Sequence, residues 1–236
     1  MNISFKTMLL GLATLSAGAY TQAHQETQPS LKEAFSGKFL IGTAMKAAQI
    51  NETDTASVRV IKEHFNAIVA ENCMKSMWLQ PKEGVFDFTL ADKFVEFGER
   101  NNMIMYGHVL IWHSQAPAWF FTDSKGNDVT REVMIERMKT HIQTVMEHYK
   151  GRVKEWEVVN EAIMDDGTFR KTKFYEIIGE DYIRLAFQFA READPDSELY
   201  YNDYSMALPG RREGVVAMVK KLQACLLYTS PSPRDS

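Results

Sequence analysis

The chain has 236 residues, of which 45% are hydrophobic and 25% are charged, a composition typical of a soluble globular protein. Its 27 Lys and Arg residues stand against 31 Asp and Glu residues, a formal charge of −4. Such a chain lacks the basic surface that phosphate backbones require, so we expect no nucleic-acid partner. Cys73 and Cys225 have neither disulfide-framework nor zinc-site spacing, and no metal or cofactor is predicted.

The first 23 residues have the pattern of an export signal. Lys6 precedes an apolar stretch over residues 8–19, and a small-residue cleavage pattern ends at Ala23. The apolar stretch is shorter than the about 20 residues of a bilayer-spanning helix, so we predict no membrane span. We expect a signal peptide at residues 1–23, a polar linker at residues 24–30 and a secreted or periplasmic protein. The alternative is an N-terminal helix packed on the domain.

Beyond the linker, five strand-like runs alternate with amphipathic stretches. Most of the runs are too continuously apolar for half-exposed hairpin strands, which predicts buried parallel strands. The runs are Phe39–Met45, Ala67–Cys73, Met103–Trp112, Val153–Ala162 and Glu198–Ser205. The stretches between them carry apolar residues at helical spacing, and Thr130 stands where the cap of one such helix belongs.

This alternation predicts a parallel sheet covered by helices, either a doubly wound open sheet or a (β/α)₈ barrel. No glycine-rich phosphate loop follows the first strand, which disfavours the nucleotide-binding sheet. Strand starts are about 40 residues apart, so eight units would need about 320 residues. We therefore predict an α/β fold, a partial (β/α)₈ TIM barrel of about the first five units.

The predicted domain, residues 31–224, is expected to be an incomplete barrel. Residues 225–236 change to Ser, Pro and Arg without periodicity and look like translated sequencing-adapter sequence, so we expect a non-native tail. The alternative is a genuine disordered tail. An open barrel leaves its first and fifth strands with unpaired edges, which predicts insoluble expression.

Polar and aromatic residues lie at the carboxyl ends of the predicted strands, where a barrel places its active site. They are Glu71, Asn72, Lys75, His108, Trp112, His113, Gln115, Asn160, Glu161, Asn202, Asp203 and Tyr204. Amides and carboxylates beside aromatic rings suit a sugar, whose hydroxyls take hydrogen bonds while its apolar face stacks.

Glycosidic cleavage needs two carboxyl groups, one of which donates a proton to the leaving oxygen. Glu161 is our candidate proton donor. It follows an apolar strand that includes Trp156 and Val158, a setting that disfavours the charged form and is expected to raise its pKa. The alternative is a helix-capping carboxylate.

Four segments occur in one order along the chain. They are Glu71–Lys75 (ENCMK), Gly107–Gln115 (GHVLIWHSQ), Trp156–Ala162 (WEVVNEA) and Leu199–Ser205 (LYYNDYS). Together they resemble glycoside hydrolase family 10, the endo-β-1,4-xylanases, from about Leu31 to Leu222.

The resemblance implies a retaining mechanism in a (β/α)₈ barrel. It implies that Glu161 is the acid/base and that Asn160 binds the 2-hydroxyl of the sugar being cleaved. The glycone-side sugar contacts that it implies are Glu71, Asn72, Lys75, His108, Trp112 and Gln115. On the leaving-group side it implies that Asn202 and Tyr204 line the site.

The sequence also departs from the family pattern. Glu157 stands where the family usually has Asp, and Val109 where it usually has Thr, both conservative changes. The family's nucleophile, a Glu in a Thr-Glu-Leu-Asp type segment, has no counterpart in the 236 residues. Retention requires a second carboxyl about 5–5.5 Å from the acid. We therefore expect this chain to be inactive. The whole protein, with its nucleophile segment, is expected to be a monomer that cleaves xylan or xylo-oligosaccharides.

Other interpretations stay open. A retaining β-1,4-glucanase or mannanase would use the same barrel, and a non-catalytic carbohydrate-binding protein would be a β-sandwich with exposed aromatic residues. His108 and His113 are five residues apart on a predicted strand, which directs them to opposite faces and disfavours a shared metal. Residues 119–121 (WFF) are interpreted as packing, and Arg211 and Arg212 as solvated charge.

Overall fold

The computed structural model describes residues 28–227, so the predicted signal peptide and residues 228–236 lie outside the described range. Within this range, six strands form one sheet. They are β1 (Gly42–Met45), β2 (Ala67–Ala70), β3 (Ile104–Gly107), β4 (Ile111–Trp112), β5 (Glu155–Asn160) and β6 (Glu198–Asn202). All pairings between these strands are parallel, in the order β1-β2-β3-β5, and both β4 and β6 also pair with β5.

Helices connect successive strands, as the alternation predicts, except between β3 and β4. They are α1 (Leu31–Ala34), α2 (Ala47–Ile50), α3 (Thr55–His64), α4 (Ser76–Leu79), α5 (Thr89–Arg100), α6 (Arg131–His148), α7 (Lys173–Ile178), α8 (Asp181–Ala193) and α9 (Pro209–Leu227), with a 3₁₀ turn at Ala118–Phe120. The fold is therefore a partial (β/α)₈ barrel. Helix α9 ends at Leu227, past the predicted domain boundary at residue 224.

The cap prediction is confirmed, because the Thr130 hydroxyl accepts a hydrogen bond from the Val133 amide at the start of α6. The packing interpretation of residues 119–121 is also confirmed. Phe120 is fully buried, and the Trp119 indole nitrogen donates to the Gln80 carbonyl at 2.9 Å. None of the helices within residues 28–227 combines the length and apolar character that crossing a membrane requires.

The third predicted strand is wrong as a single element, because the run divides into β3 and β4. The break covers residues 108–110 and contains a cis peptide bond between His108 and Val109, and the Leu110 amide donates to the Glu157 carbonyl at 3.0 Å. Val109 and Leu110 nevertheless stay buried, so their apolar character could not reveal the break. His108 and His113 both lie outside the strands, and the two-residue alternation that assigned them to opposite faces does not apply.

Strand β5 lies at the centre of the sheet and positions the site. Its residues from Trp156 to Asn160 are all buried, whereas β1 and β6 pair on one side each among the described residues and are more exposed. The carboxyl end of β5 is therefore flanked by β4 on one side and β6 on the other.

Candidate functional site

The sheet register brings three of the predicted residues into one row. Asn160 at the end of β5 pairs with Trp112 of β4 and with Asn202 of β6. The Asn202 amide nitrogen donates to the Asn160 side-chain oxygen at 3.1 Å. Because parallel strands end at the same edge of a sheet, residues that are distant in sequence converge here.

Glu161 leaves the sheet immediately after this row. Its φ of 56° is left-handed, which costs a non-glycine residue roughly 1–3 kcal/mol and persists only where its surroundings hold it. Its amide donates to the Asn202 carbonyl, and its own carbonyl accepts from Arg170 Nε, each at 2.9 Å. The Trp112 indole nitrogen then donates to Glu161 Oε2 at 3.2 Å, which orients the carboxylate.

Lys75 directs a positive charge toward the same region. The side chain is buried, and its Nζ donates to Asn72 Oδ1 at 3.1 Å and lies 4.9 Å from the centre of the Trp112 ring. Desolvation lowers the pKa of Lys75, and this effect is opposed by the nearby carboxylates of Glu71, Glu157 and Glu161.

His108 is held by the carboxylate of Glu157. Its Nδ1 lies 3.1 Å from Glu157 Oε2, and because a carboxylate only accepts, Nδ1 carries the proton. The Glu157 side chain is only 4% exposed, and its Oε1 has no hydrogen-bond partner within residues 28–227. The ring of His108 lies beside that of Trp112, with 6.1 Å between their centres.

Two predicted residues lie where the strands meet solvent. Gln115 has a left-handed φ of 53°, and its carbonyl accepts from the Met77 amide at 3.0 Å. Glu71 follows β2 and lies 3.9 Å from Lys46 Nζ in a partly exposed ion pair. Exposed pairs of this kind contribute little stability, so the Glu71 carboxylate is available to a ligand.

Tyr204 is exposed and held from below by two arginines. Its hydroxyl accepts from Arg170 at 3.0 Å, and the Arg211 guanidinium lies 3.8 Å from the centre of its ring. Hydrogen bonds from Arg211 and then Arg170 lower the pKa of the Tyr204 hydroxyl.

Asp203 and Arg211 form a buried ion pair next to the end of β6. The Asp203 carboxylate also accepts from the Tyr201 hydroxyl at 2.5 Å and from the Ile163 amide at 3.3 Å. Arg211 is only 1% exposed, so its interpretation as solvated charge is wrong. Asp203 is withdrawn from water at the sheet end, and a buried carboxylate requires a counter-charge. Nothing in the sequence distinguishes Arg211 from its neighbour Arg212.

His113 lies on the other side of Trp112, with 6.0 Å between ring centres. Its Nδ1 is buried without a hydrogen-bond partner among the described residues. Desolvation and then the charge of Arg170 lower its pKa, against the effect of Glu161 and Asp203, so the ring is held neutral. The described part of the chain contains no group of three or more His, Cys, Asp or Glu side chains positioned for a metal ion.

The arrangement offers one carboxyl group with limited restraint. Asp203 is bound to Arg211, Glu157 to His108, and Glu71 is paired with Lys46. Among residues 28–227, the Glu161 side chain accepts a hydrogen bond only from Trp112, and amides, an ammonium and aromatic rings lie near it. These are the groups that bind sugar hydroxyls and pyranose faces around a proton donor.

Known proteins are similar to this chain in sequence and in fold. The sequence profile described as glycosyl hydrolase family 10 matches residues 30–227. An endo-1,4-β-xylanase A of Xylanibacter ruminicola is 50% identical over 215 residues, which are 91% of this chain and 57% of the relative. The chain thus spans little more than half the length of that relative.

A second relative and a solved structure are also similar. The exoglucanase XynX of Acetivibrio thermocellus is 41% identical over 209 residues, or 85% of this chain and 19% of the relative. The structure of a GH10 endoxylanase retrieved from a sugarcane soil metagenome is 41% identical and has a TM-score of 0.80, covering 84% of this chain and 59% of that one.

Proposed function

The chain belongs to glycosyl hydrolase family 10, and on that basis we propose that the whole protein is an endo-acting β-1,4-xylanase that retains anomeric configuration. The observation that carries the proposal is Glu161, a carboxyl group fixed at the end of the central strand by Trp112, Asn202 and Arg170. An endo-1,4-β-xylanase at 50% identity supports the substrate.

Glu161 acts first as an acid and then as a base. Trp112 occupies Oε2, which leaves Oε1 to carry the proton that passes to the glycosidic oxygen as that bond breaks. A carboxylate nucleophile forms a covalent bond to the anomeric carbon, and Glu161 then removes a proton from the water that hydrolyses this bond and releases the sugar. Asn160 is proposed to bind the 2-hydroxyl, an interaction that strengthens in the transition state.

The nucleophile is proposed to be absent from the 236 residues. Glu71, Glu157 and Asp203 each have a basic partner already, and freeing Glu157 or Asp203 would leave a buried charge unpaired. The chain as written is therefore proposed to bind xylan or xylo-oligosaccharides without hydrolysing them. The whole protein is proposed to be a monomer that is exported through residues 1–23.

A β-1,4-glucanase is the second candidate, because one relative of comparable identity is named an exoglucanase. No comparable observation favours a mannanase, and a β-sandwich binding module is incompatible with a parallel sheet connected by helices. The whole protein should be assayed on xylan, carboxymethylcellulose and mannan side by side. Cleavage of cellulose or mannan with xylan untouched would overturn the substrate.

The test of Glu161 is Glu161→Gln in the whole protein. Since general acid catalysis contributes about 10²–10⁴-fold, kcat/KM on xylan should fall by that factor. An aryl xyloside with a very acidic leaving phenol should lose little in kcat/KM, because its departure needs no proton. The control is Glu71→Gln, at a proposed sugar contact, which should lower both values by a similar factor. If Glu161→Gln lowers kcat/KM equally on both substrates, Glu161 is not the proton donor.

A further inference from the structure

We propose that Trp78 is a sugar-stacking platform that binds one more xylose unit on the glycone side, beyond the sugars contacted by Asn72 and Gln115. The inference rests on the proposed function and adds a residue that the sequence motifs do not include. It concerns neutral xylopyranose units, whose apolar ring face stacks on indole.

Trp78 is exposed although it lies in a rigid element. Helix α4 is anchored by Leu79, which is fully buried, while the next residue back, Trp78, leaves 52% of its surface in solvent. Tryptophan is highly buried on average, so the exposure of this ring leaves an unusually large apolar face available to a ligand.

The ring is tied to a proposed sugar contact. Trp78 Nε1 donates to Gln115 Oε1 at 3.4 Å, and the Met77 amide and Ser76 hydroxyl both donate to the Gln115 carbonyl. Because Oε1 of Gln115 accepts from the indole, its amide NH₂ is the group left to donate to a sugar hydroxyl. Trp78 therefore fixes the direction in which Gln115 presents its donor.

A second proposed contact lies on the other side of Trp78. The indole and Asn72 line a common cavity of about 100 Å³, together with Met45 and the stem of Lys46. Lys46 leaves 68% of its side chain in solvent beside Glu71. A pyranose lying on Trp78 would thus have an ammonium and a carboxylate at the cleft rim as hydroxyl partners.

The experiment measures how affinity depends on chain length. Calorimetric titrations with xylobiose, xylotriose and xylotetraose use the whole protein in a Glu161→Gln background, so that no ligand can be consumed. The wild-type Trp78 protein should bind the longest ligand about fivefold more tightly than xylobiose, the gain of one stacked ring. Trp78→Ala should abolish this ratio.

Two further variants separate stacking from the positioning of Gln115. Trp78→Phe keeps a ring and loses the hydrogen bond, so it should weaken all three ligands equally and preserve most of the ratio. Met77→Ala, the exposed neighbour on α4, should leave the ratio unchanged.

A ratio that survives Trp78→Ala would overturn the platform and leave the xylanase proposal standing, as would an equal loss in Met77→Ala. Equally tight binding of all three ligands, lost in Asn72→Ala, would also overturn the platform and leave the xylanase proposal standing. If none of the xylo-oligosaccharides binds, the platform and the proposed function both fail.

Discussion

His141 is a fully buried imidazole on α6 that couples the stability of the domain to pH. Its Nδ1 lies 2.9 Å from Oε1 of Gln80, which is also buried, and its Nε2 has no hydrogen-bond partner within residues 28–227. The ring packs edge-on against Phe120. Burial lowers the pKa of His141 to about 4, since a charged imidazole would be desolvated there.

The sign of the resulting pH dependence follows from the two states. The unfolded chain has a histidine pKa near 6.5, so between about pH 4 and 6.5 it binds more protons than the folded chain. The contribution of His141 to the free energy of unfolding should therefore be constant above about pH 6.5 and fall by roughly 3 kcal/mol as the pH drops to about 4. Urea unfolding across this range measures the slope.

His141→Gln should flatten that slope, because the substituted side chain cannot titrate. The control is His64→Gln, at the partly exposed end of α3, which should leave the slope the same as in the unsubstituted chain. An unchanged slope in His141→Gln would assign the acid sensitivity to the carboxylates.

The predictability of the site differs from residue to residue. Asn160, Asn202 and Glu161 could be placed from sequence, because the first two end recognisable strands, Glu161 follows directly, and parallel strands end together. Arg211 could not be placed from sequence, since an arginine in a helix is usually solvated. Only the fold reveals that it forms an ion pair with Asp203. Trp78 was missed because a four-residue helix has no periodicity to show which side faces solvent.

At the scale of elements, Gly107 determines how closely β3 and β5 pack. It pairs with Trp156 across the ladder, and a Cβ built on Gly107 would overlap the Trp156 ring. That ring is buried, and its nitrogen donates to the Val153 carbonyl at 3.2 Å, so it has a fixed position. Glycine is therefore required by close approach rather than by backbone conformation.

Gly107→Ala should lower the free energy of unfolding by about 1–3 kcal/mol, the usual cost of overpacking a core. Gly42→Ala is the matched control on β1, where the added Cβ would meet its nearest neighbour, Ala67 Cβ, at an ordinary 3.6 Å. Urea midpoints for the two variants measure the difference. Equal shifts would mean that Trp156 can move aside.

Periodicity identifies the long elements and misses the short ones. Helices α3, α5, α6 and α8 have apolar faces that the spacing predicts, whereas α1, α2 and α4 are each a single turn and α7 is little longer. The break between β3 and β4 escapes the same test because Val109 and Leu110 leave the ladder without leaving the core.

At the scale of the whole molecule, the first and last strands of the sheet each have one unpaired edge among the described residues. Strand β1 pairs only with β2, and β6 pairs only with β5. On β6, Leu199 and Tyr201 line a cavity of about 580 Å³ with residues of α8 and α9, while Tyr200 on the opposite face contacts Tyr106. An apolar edge strand of this kind is a template for pairing with a second chain.

Tyr200→Lys should reduce self-association, because a lysine on an edge strand places a charge in any strand-to-strand contact. The change in net charge alone would predict more self-association, since the substitution moves the chain from its formal −4 toward zero. Val216→Lys, at an exposed position of α9, makes the same change in charge away from the edge. Sedimentation velocity at low and high protein concentration should show less oligomer for Tyr200→Lys and no reduction for Val216→Lys. Equal behaviour of the two variants would place the contact elsewhere than β6.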